Sequence, residues 1–206
     1  FANFNGTSAD VDVLTHEMGH AFEAYTASRI YPLSSMTWAS SETNEIHSMS
    51  MEFLTYPWME KFFGDKVGLY RKDHLIQALE AVPFMGTVDE FQHRVFEEKP
   101  GAAGRKKIWH ELEQTYMPWR DYDGNAFFEA GGYWMQRQHI FINPFYYVDY
   151  ALAQMGAFHF YRMMDEDPKT AWEEYYRLCR SGGSRGYFET LEYSGIGNPF
   201  CEETIR

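Results

Sequence analysis

The residues His16, Glu17 and His20 form the pattern His-Glu-x-x-His in a segment whose apolar spacing predicts a helix. Residues four apart lie on one helix face, so both imidazoles can bind one metal ion at about 2.0–2.1 Å. Glu17 is rotated around the helix by about 100° and would lie beside the metal. There it can accept a proton from an activated water molecule. The pattern predicts a hydrolytic site with one Zn²⁺ per chain; the alternative is two solvent-facing histidines on an amphipathic helix.

A catalytic zinc ion needs a third protein ligand and an open position for water. Glu45 lies 25 positions after His20, near the start of a second helix predicted from Ser40 or Ser41 to about Phe63. If the two helices pack antiparallel, this carboxylate returns beside the histidines. We therefore predict Glu45 as the third ligand, whereas His47 points elsewhere and is not predicted to bind metal.

Three neighbouring positions have predicted supporting roles. Ser48 and Glu52 follow Glu45 at i+3 and i+7 and share its helix face, so either can hydrogen-bond a ligating imidazole or carboxylate. The alternative for Glu52 is a solvated surface acid. Gly19 lacks a side chain, and we expect it to leave the catalytic helix open to a substrate.

The whole sequence predicts a mostly α, multi-helix fold that begins with a short strand at Ala2–Asn5. The first helix runs from a cap at Thr7 or Ser8 to about Ser28. Pro83 and Gly86 are expected to interrupt the later helical pattern. The apolar side of the first helix consists of Leu14, Met18, Ala21, Phe22 and Tyr25. The later predicted segments are 66–81, 87–98, 102–117, 134–140, a helix after Pro144 to about Met164, 168–180 and 187–193.

Composition limits the kinds of partner. The 206 residues are 45% apolar and carry a net charge of −12, without the clustered Lys and Arg that phosphate binding needs, so we expect no nucleic-acid or membrane partner. Cys179 and Cys201 are interpreted as reduced thiols, and a cytoplasmic location is expected. We predict one catalytic domain over residues 1–206. Because the sequence starts at Phe1 and not at Met, we expect it to be the C-terminal part of a longer chain.

Several motifs resemble the oligoendopeptidase F and thimet oligopeptidase family of zinc metallopeptidases, and the bacterial oligoendopeptidase F branch in particular. They are Asn3-Phe4-Asn5-Gly6-Thr7, His16-Glu17-Met18-Gly19-His20, Glu45 at the family's spacing, His139, Pro144-Phe145-Tyr146-Tyr147-Val148-Asp149-Tyr150-Ala151 and Gly182-Gly183-Ser184. The resemblance covers essentially the whole chain.

The resemblance implies a helical fold whose zinc lies in a deep cleft that admits short peptides. It implies His16, His20 and Glu45 as zinc ligands and Glu17 as the general base. It also implies that further side chains face the scissile carbonyl, namely His139, Tyr147 and Tyr150, with Tyr146 as a close competitor of Tyr147. Family members are much longer, so an N-terminal region that forms the other wall of the cleft is expected as a partner of this chain.

These observations predict a zinc-dependent endopeptidase that hydrolyses short oligopeptides. The predicted strand at Ala2–Asn5 suggests that Asn3 contacts the substrate backbone, as edge strands can. A peptidyl-dipeptidase or a carboxypeptidase using the same site remains an alternative. So does an inactive fragment or a binding module, which need not hold zinc.

Overall fold

Helices form all the regular structure in residues 2–205, which the computed structural model describes. They are α1 Ser8–Ala27, α2 Ser41–Leu54, α3 Glu60–Phe63, α4 Val67–Glu98, α5 Ala102–Tyr116, α6 Gln138–Ile142, α7 Tyr147–Glu166, α8 Pro168–Ser181, α9 Tyr187–Tyr193 and α10 Glu202–Ile205. The helical prediction is thus confirmed. None of the described helices is both long and apolar enough to cross a bilayer.

The predicted strand at Ala2–Asn5 is wrong, because no strand occurs in residues 2–205. This segment instead caps the N-terminus of α1. The Asp10 carboxylate accepts hydrogen bonds from the backbone N–H groups of Asn5, Gly6 and Thr7, at 2.9, 2.6 and 3.1 Å. A carboxylate in the first turn also interacts favourably with the positive end of the helix dipole. The segment is therefore held as a helix cap.

The helices differ from the predictions at two prolines. The second helix ends at Leu54, and a 3₁₀ turn at Tyr56–Trp58 follows. Pro57 lies in that turn, where its missing N–H and its ring do not disrupt an α-helix. Pro83, by contrast, lies inside α4, which continues to Glu98. Within this helix the Thr87 hydroxyl donates to the Pro83 carbonyl at 2.8 Å.

The chain divides into two compact units. The first comprises Phe1–Leu75 and Leu152–Arg206, and the second comprises Ile76–Ala151. The fully buried side chains of the first unit include Ala27, Ile46, Phe53, Met59, Ala157, Phe160, Tyr175, Leu178 and Cys179. The second unit is built around Val88, Phe91, Ile108, Trp109, Leu112 and Trp134.

Helices α1 and α2 of the first unit are antiparallel and in backbone contact. His16 pairs with Glu52, whereas His20, one turn later, pairs with Glu45, so the order reverses between the helices. A Cβ atom on Gly19 would lie 2.4 Å from the carbonyl oxygen of His47 and 2.6 Å from Cα of Ser48. Gly19 is buried, so helix packing explains it, and not the open helix surface that the sequence suggested.

The buried face of α1 is polar. Its buried residues are Thr15, Gly19, Glu23, Thr26 and Ala27. Most of the predicted apolar side faces outward instead: Leu14, Met18 and Tyr25 are 41%, 53% and 57% exposed, whereas Phe22 is partly buried and its ring stacks on Tyr175. The close approach to α2 dictates this orientation, because only the face that contains Gly19 can reach the α2 backbone.

We expect Gly19→Ala to destabilise the first unit by about 2–3 kcal/mol, because the new methyl group overlaps backbone atoms of α2. Thermal unfolding of the complete polypeptide measures the effect. Gly68→Ala in α4 is the matched control, since nothing lies within 4 Å of a Cβ there. Equal unfolding temperatures for the two variants would contradict the helix contact.

We expect Glu23→Gln to stabilise the protein at alkaline pH. Glu23 is 1% exposed, and burial raises the pKa of its carboxyl to about 7. The folded state therefore binds a proton that the unfolded state releases near pH 4.5, so stability falls as pH rises from about 4.5 to 7. The loss amounts to roughly 3 kcal/mol. Denaturant titrations at pH 4 and pH 8 should show that the free energy of unfolding falls by this amount more in the parent protein than in the variant. The exposed Glu97→Gln should leave the slope unchanged.

Candidate metal centre

Three side chains from α1 and α2 converge at one point in the first unit. One ligand atom from each of His16, His20 and Glu45 lies within 4.8 Å of the others. The Glu45 Oε2 atom is 3.3 Å from Nε2 of His16 and 3.5 Å from Nε2 of His20. The Glu45 carboxylate is buried, whereas the imidazoles are 23% and 27% exposed. The group is thus anchored on its carboxylate side and accessible on its imidazole side.

Ser48 holds the Glu45 carboxylate from within α2. Its hydroxyl oxygen lies 3.0 Å from Glu45 Oε2 and 3.0 Å from the Glu45 backbone carbonyl. The single hydroxyl proton can be donated to either acceptor. One helical turn thus places an O–H donor against the carboxylate, at the i+3 position that the sequence singled out.

Glu52 holds His16 from the other side. Its Oε1 atom is 2.7 Å from His16 Nδ1. Burial lowers the pKa of His16, but hydrogen bonds with Glu45 and Glu52 outweigh it and raise the pKa to about 10. Burial likewise raises the pKa of Glu52, and hydrogen bonds from His16 and His74 outweigh that effect, so its pKa lies below the usual value. Glu52 is an ionised acceptor and not a solvated surface acid.

Two further groups near Glu52 were not identified from the sequence. His74 Nε2 lies 2.7 Å from Glu52 Oε2, and the Tyr56 hydroxyl lies 2.6 Å from His74 Nδ1. His74 comes from α4, 22 positions after Glu52, and no spacing rule connects the two helices. The sequence offered only a histidine within the helical segment predicted at 66–81.

The remaining predicted residues of the first unit occupy distinct places. Glu17 is exposed on α1, between the two histidines in sequence. Asn3 is exposed in a segment that forms no strand, so the reason for expecting substrate contact there is lost. His47 is fully buried, and burial lowers its pKa to about 4, so it is neutral at physiological pH. Its carbonyl accepts a hydrogen bond from Tyr175 at 2.9 Å, and its ring is not part of the convergent group.

The donor set fits a zinc ion. If ionised Glu52 accepts the Nδ1–H of His16, a neutral His16 presents an Nε2 lone pair toward the Glu45 oxygen, 3.3 Å away. Two acceptors that face each other need a proton or a metal cation between them. Two imidazole nitrogens and one carboxylate oxygen, with a fourth side accessible, match the ligand set of catalytic zinc sites.

The second unit gathers the four aromatic residues predicted near the scissile bond. The His139 ring stacks on Tyr146 with centroids 5.9 Å apart, and lies 5.5 Å from Tyr147 and 6.3 Å from Tyr150. Tyr146 and Tyr150 are 4.9 Å apart. Tyr147 also packs edge-to-face on Phe84 at 5.9 Å, next to the core of this unit. All four are partly exposed.

Several known proteins are similar to this chain. A protein named oligoendopeptidase F homolog from Borreliella burgdorferi is 26% identical over 196 residues, which is 91% of this chain and 32% of that protein. The structure of PZ peptidase A with inhibitor 2 matches all of this chain with a TM-score of 0.95 and 46% identity. A crystal structure described as that of a "putative oligoendopeptidase F" from Bacillus anthracis str. Ames matches all of this chain with a TM-score of 0.85 and 40% identity.

The match extends over only part of each relative. This chain covers 36% of PZ peptidase A and 34% of the Bacillus anthracis protein, so it spans about a third of their length. The sequence profile of peptidase family M3 matches residues 1–206. Three observations agree on the family of this chain: the convergent histidine and glutamate side chains, the similarity to oligoendopeptidase F proteins, and the family profile. The chain belongs to peptidase family M3, whose members are zinc-dependent metallopeptidases.

Proposed function

We propose that residues 1–206 are the catalytic portion of a zinc-dependent endopeptidase that cleaves short oligopeptides. The observation that carries the proposal is the convergence of His16, His20 and Glu45 on one point, with Glu17 exposed on the same helix as the histidines. Membership of family M3 supports peptide hydrolysis as the reaction. The chain spans about a third of its relatives, so this activity is proposed for the complete polypeptide.

The proposed mechanism assigns each side chain one task. His16, His20 and Glu45 would hold the zinc ion, which would act as a Lewis acid toward a water molecule and the scissile carbonyl. Glu17 accepts the proton of the attacking water and later delivers it to the leaving amine. One water molecule is consumed, and a carboxylic acid and an amine are formed. Ser48 and Glu52 keep Glu45 and His16 in their ligating orientations.

Hydrogen-bond donors must also stabilise the negative charge that develops on the carbonyl oxygen. We propose His139 and Tyr150 for this role, with Tyr147 as a second phenol donor. Tyr146 competes with Tyr147: its ring stacks on His139, whereas the Tyr147 ring is fixed against Phe84. Either hydroxyl is chemically suitable, because a phenol O–H donates as well as accepts.

We further propose short peptides as substrates and a cytoplasmic location. The resemblance to oligoendopeptidases implies a cleft that excludes folded proteins, with its other wall formed by the rest of the polypeptide. Cleavage of matched peptides with free and amidated C-termini tests the endopeptidase assignment, because a carboxypeptidase or a peptidyl-dipeptidase requires the free carboxylate.

We expect Glu17→Gln in the complete polypeptide to keep one zinc per chain and to lower kcat by about 10²–10⁴-fold, because the amide cannot accept the proton of water. Metal analysis and a peptide-cleavage assay measure the two quantities. Glu97→Gln, at an exposed position on α4, is the matched control and should retain full activity. Persistent cleavage by the Glu17→Gln variant would exclude Glu17 as the base, and a parent protein without zinc would exclude the metal site.

Single Tyr→Phe substitutions at 146, 147 and 150 are expected to separate donors from packing residues. Removal of one oxyanion donor lowers kcat by about 10²–10³-fold and changes KM little. We expect this loss for Tyr150→Phe and for one of the other two variants. Steady-state kinetics with one peptide substrate measures it. Near-parental kcat in all three variants would show that these phenols do not act on the carbonyl oxygen.

A further inference from the structure

We propose that His74 is a positioning residue of the metal centre, which acts on His16 through the Glu52 carboxylate, and that the Tyr56 hydroxyl orients His74. This inference rests on the proposed zinc site and extends it by two residues, to α4 and the 3₁₀ turn after α2. All four side chains belong to the first unit.

The Glu52 carboxylate is shared between two imidazoles. Its Oε1 lies 2.7 Å from His16 Nδ1 and its Oε2 lies 2.7 Å from His74 Nε2. An ionised carboxylate only accepts hydrogen bonds, so both nitrogens carry their protons toward it. The Nδ1–H tautomer leaves Nε2 of a neutral His16 as the ligating atom. The position of Glu52 therefore determines which nitrogen faces the metal.

His74 restrains the second oxygen of this carboxylate. With Nε2–H directed at Glu52, the Nδ1 atom of a neutral His74 is an acceptor, and the Tyr56 O–H donates to it across 2.6 Å. The Tyr56 backbone carbonyl in turn accepts from Arg71 Nη2 at 2.6 Å. Each nitrogen of the His74 ring thus has one partner. Successive hydrogen bonds connect Tyr56 to His74, His74 to Glu52, and Glu52 to His16.

The surroundings fix the ring of His74. Its side chain is 7% exposed. The ring stacks on Tyr70 at 5.8 Å and meets Phe53 edge-on at 5.1 Å. The Tyr70 hydroxyl donates to Asp12 on α1 at 2.7 Å, which ties α4 back to the helix that carries His16. A ring held in this way cannot turn its Nε2–H away from Glu52 without breaking several contacts.

If His74 only filled space in the core, its two hydrogen bonds, to Glu52 and from Tyr56, would not be needed. A phenylalanine at position 74 would fill the same aromatic surroundings, but Glu52 would lose one of its two donors and could rotate away from His16. A buried carboxylate without its donors is costly, and partners of metal ligands alter metal affinity by about 10–100-fold. An effect on metal affinity, beyond any effect on stability, therefore distinguishes positioning from packing.

The test compares His74→Phe, His74→Gln and Tyr56→Phe in the complete polypeptide. Phenylalanine keeps the ring and removes both nitrogens, whereas the glutamine amide can still donate to Glu52. Tyr56→Phe removes a single oxygen atom. His93→Phe is the matched control, because this histidine also lies on α4 but is 57% exposed. Zinc affinity by chelator competition, the visible spectrum of the Co²⁺-substituted protein and thermal unfolding are measured for each.

We expect His74→Phe to weaken zinc binding about tenfold and to alter the Co²⁺ spectrum, with His74→Gln within about threefold of the parent. Tyr56→Phe should weaken binding by about threefold, and it decides the question if His74→Phe does not fold. The inference is wrong if His74→Phe and Tyr56→Phe bind zinc like His93→Phe, or if glutamine is no better than phenylalanine. A parent protein that binds no zinc would overturn the proposed function itself, an outcome distinct from both.

Discussion

The contact between α1 and α2 at Gly19 determines the geometry on which the candidate site depends. At this point a methyl group would overlap the His47 carbonyl and the Ser48 backbone, so the two helices are as close as backbones permit. His16 and His20, on either side of Gly19 in the sequence of α1, then face Glu45 and Glu52 of α2 across a short distance. That distance lets Glu45 meet both imidazoles and lets Glu52 reach the far side of His16. With wider helix spacing the same side chains would not converge.

The close approach of α1 and α2 has an electrostatic consequence, because it brings the carboxylates of Glu45 and Glu52 against the histidines of α1. Each carboxylate is stabilised by specific donors: Ser48 donates toward Glu45, and the imidazoles of His16 and His74 donate to Glu52. A buried carboxylate without such partners has a raised pKa, as Glu23 on the buried face of α1 illustrates. Burial raises the pKa of both Glu23 and Glu52, and hydrogen bonds from His16 and His74 reverse the direction of the shift at Glu52 only.

The sequence predicts this site better than it predicts the elements around it. The ligand spacing on α1 and the i+3 and i+7 positions on α2 follow from helix periodicity, so Ser48 and Glu52 could be placed. His74 and Tyr56 could not, because their contact depends on how α4 packs against α2. The error at the predicted strand Ala2–Asn5 has a local cause, because the Asp10 carboxylate binds the amides of Asn5 and Gly6 and holds the segment as a helix cap. Similarly, Pro83 is tolerated inside α4, although its sequence context indicated a break.

The aromatic cluster of the second unit depends on a backbone conformation that is unfavourable by itself. Phe145 has a φ of 65°, in the left-handed region that residues other than glycine seldom adopt. Its N–H donates to the buried Gln92 carboxamide at 2.9 Å, and its ring contacts His93 and Phe96 with centroids 4.9 and 5.3 Å away. These contacts offset a strain of about 1–3 kcal/mol. These contacts fix the backbone directly before Tyr146. The orientation of the tyrosines that follow therefore depends on Phe145, a strained residue that takes no part in the proposed chemistry.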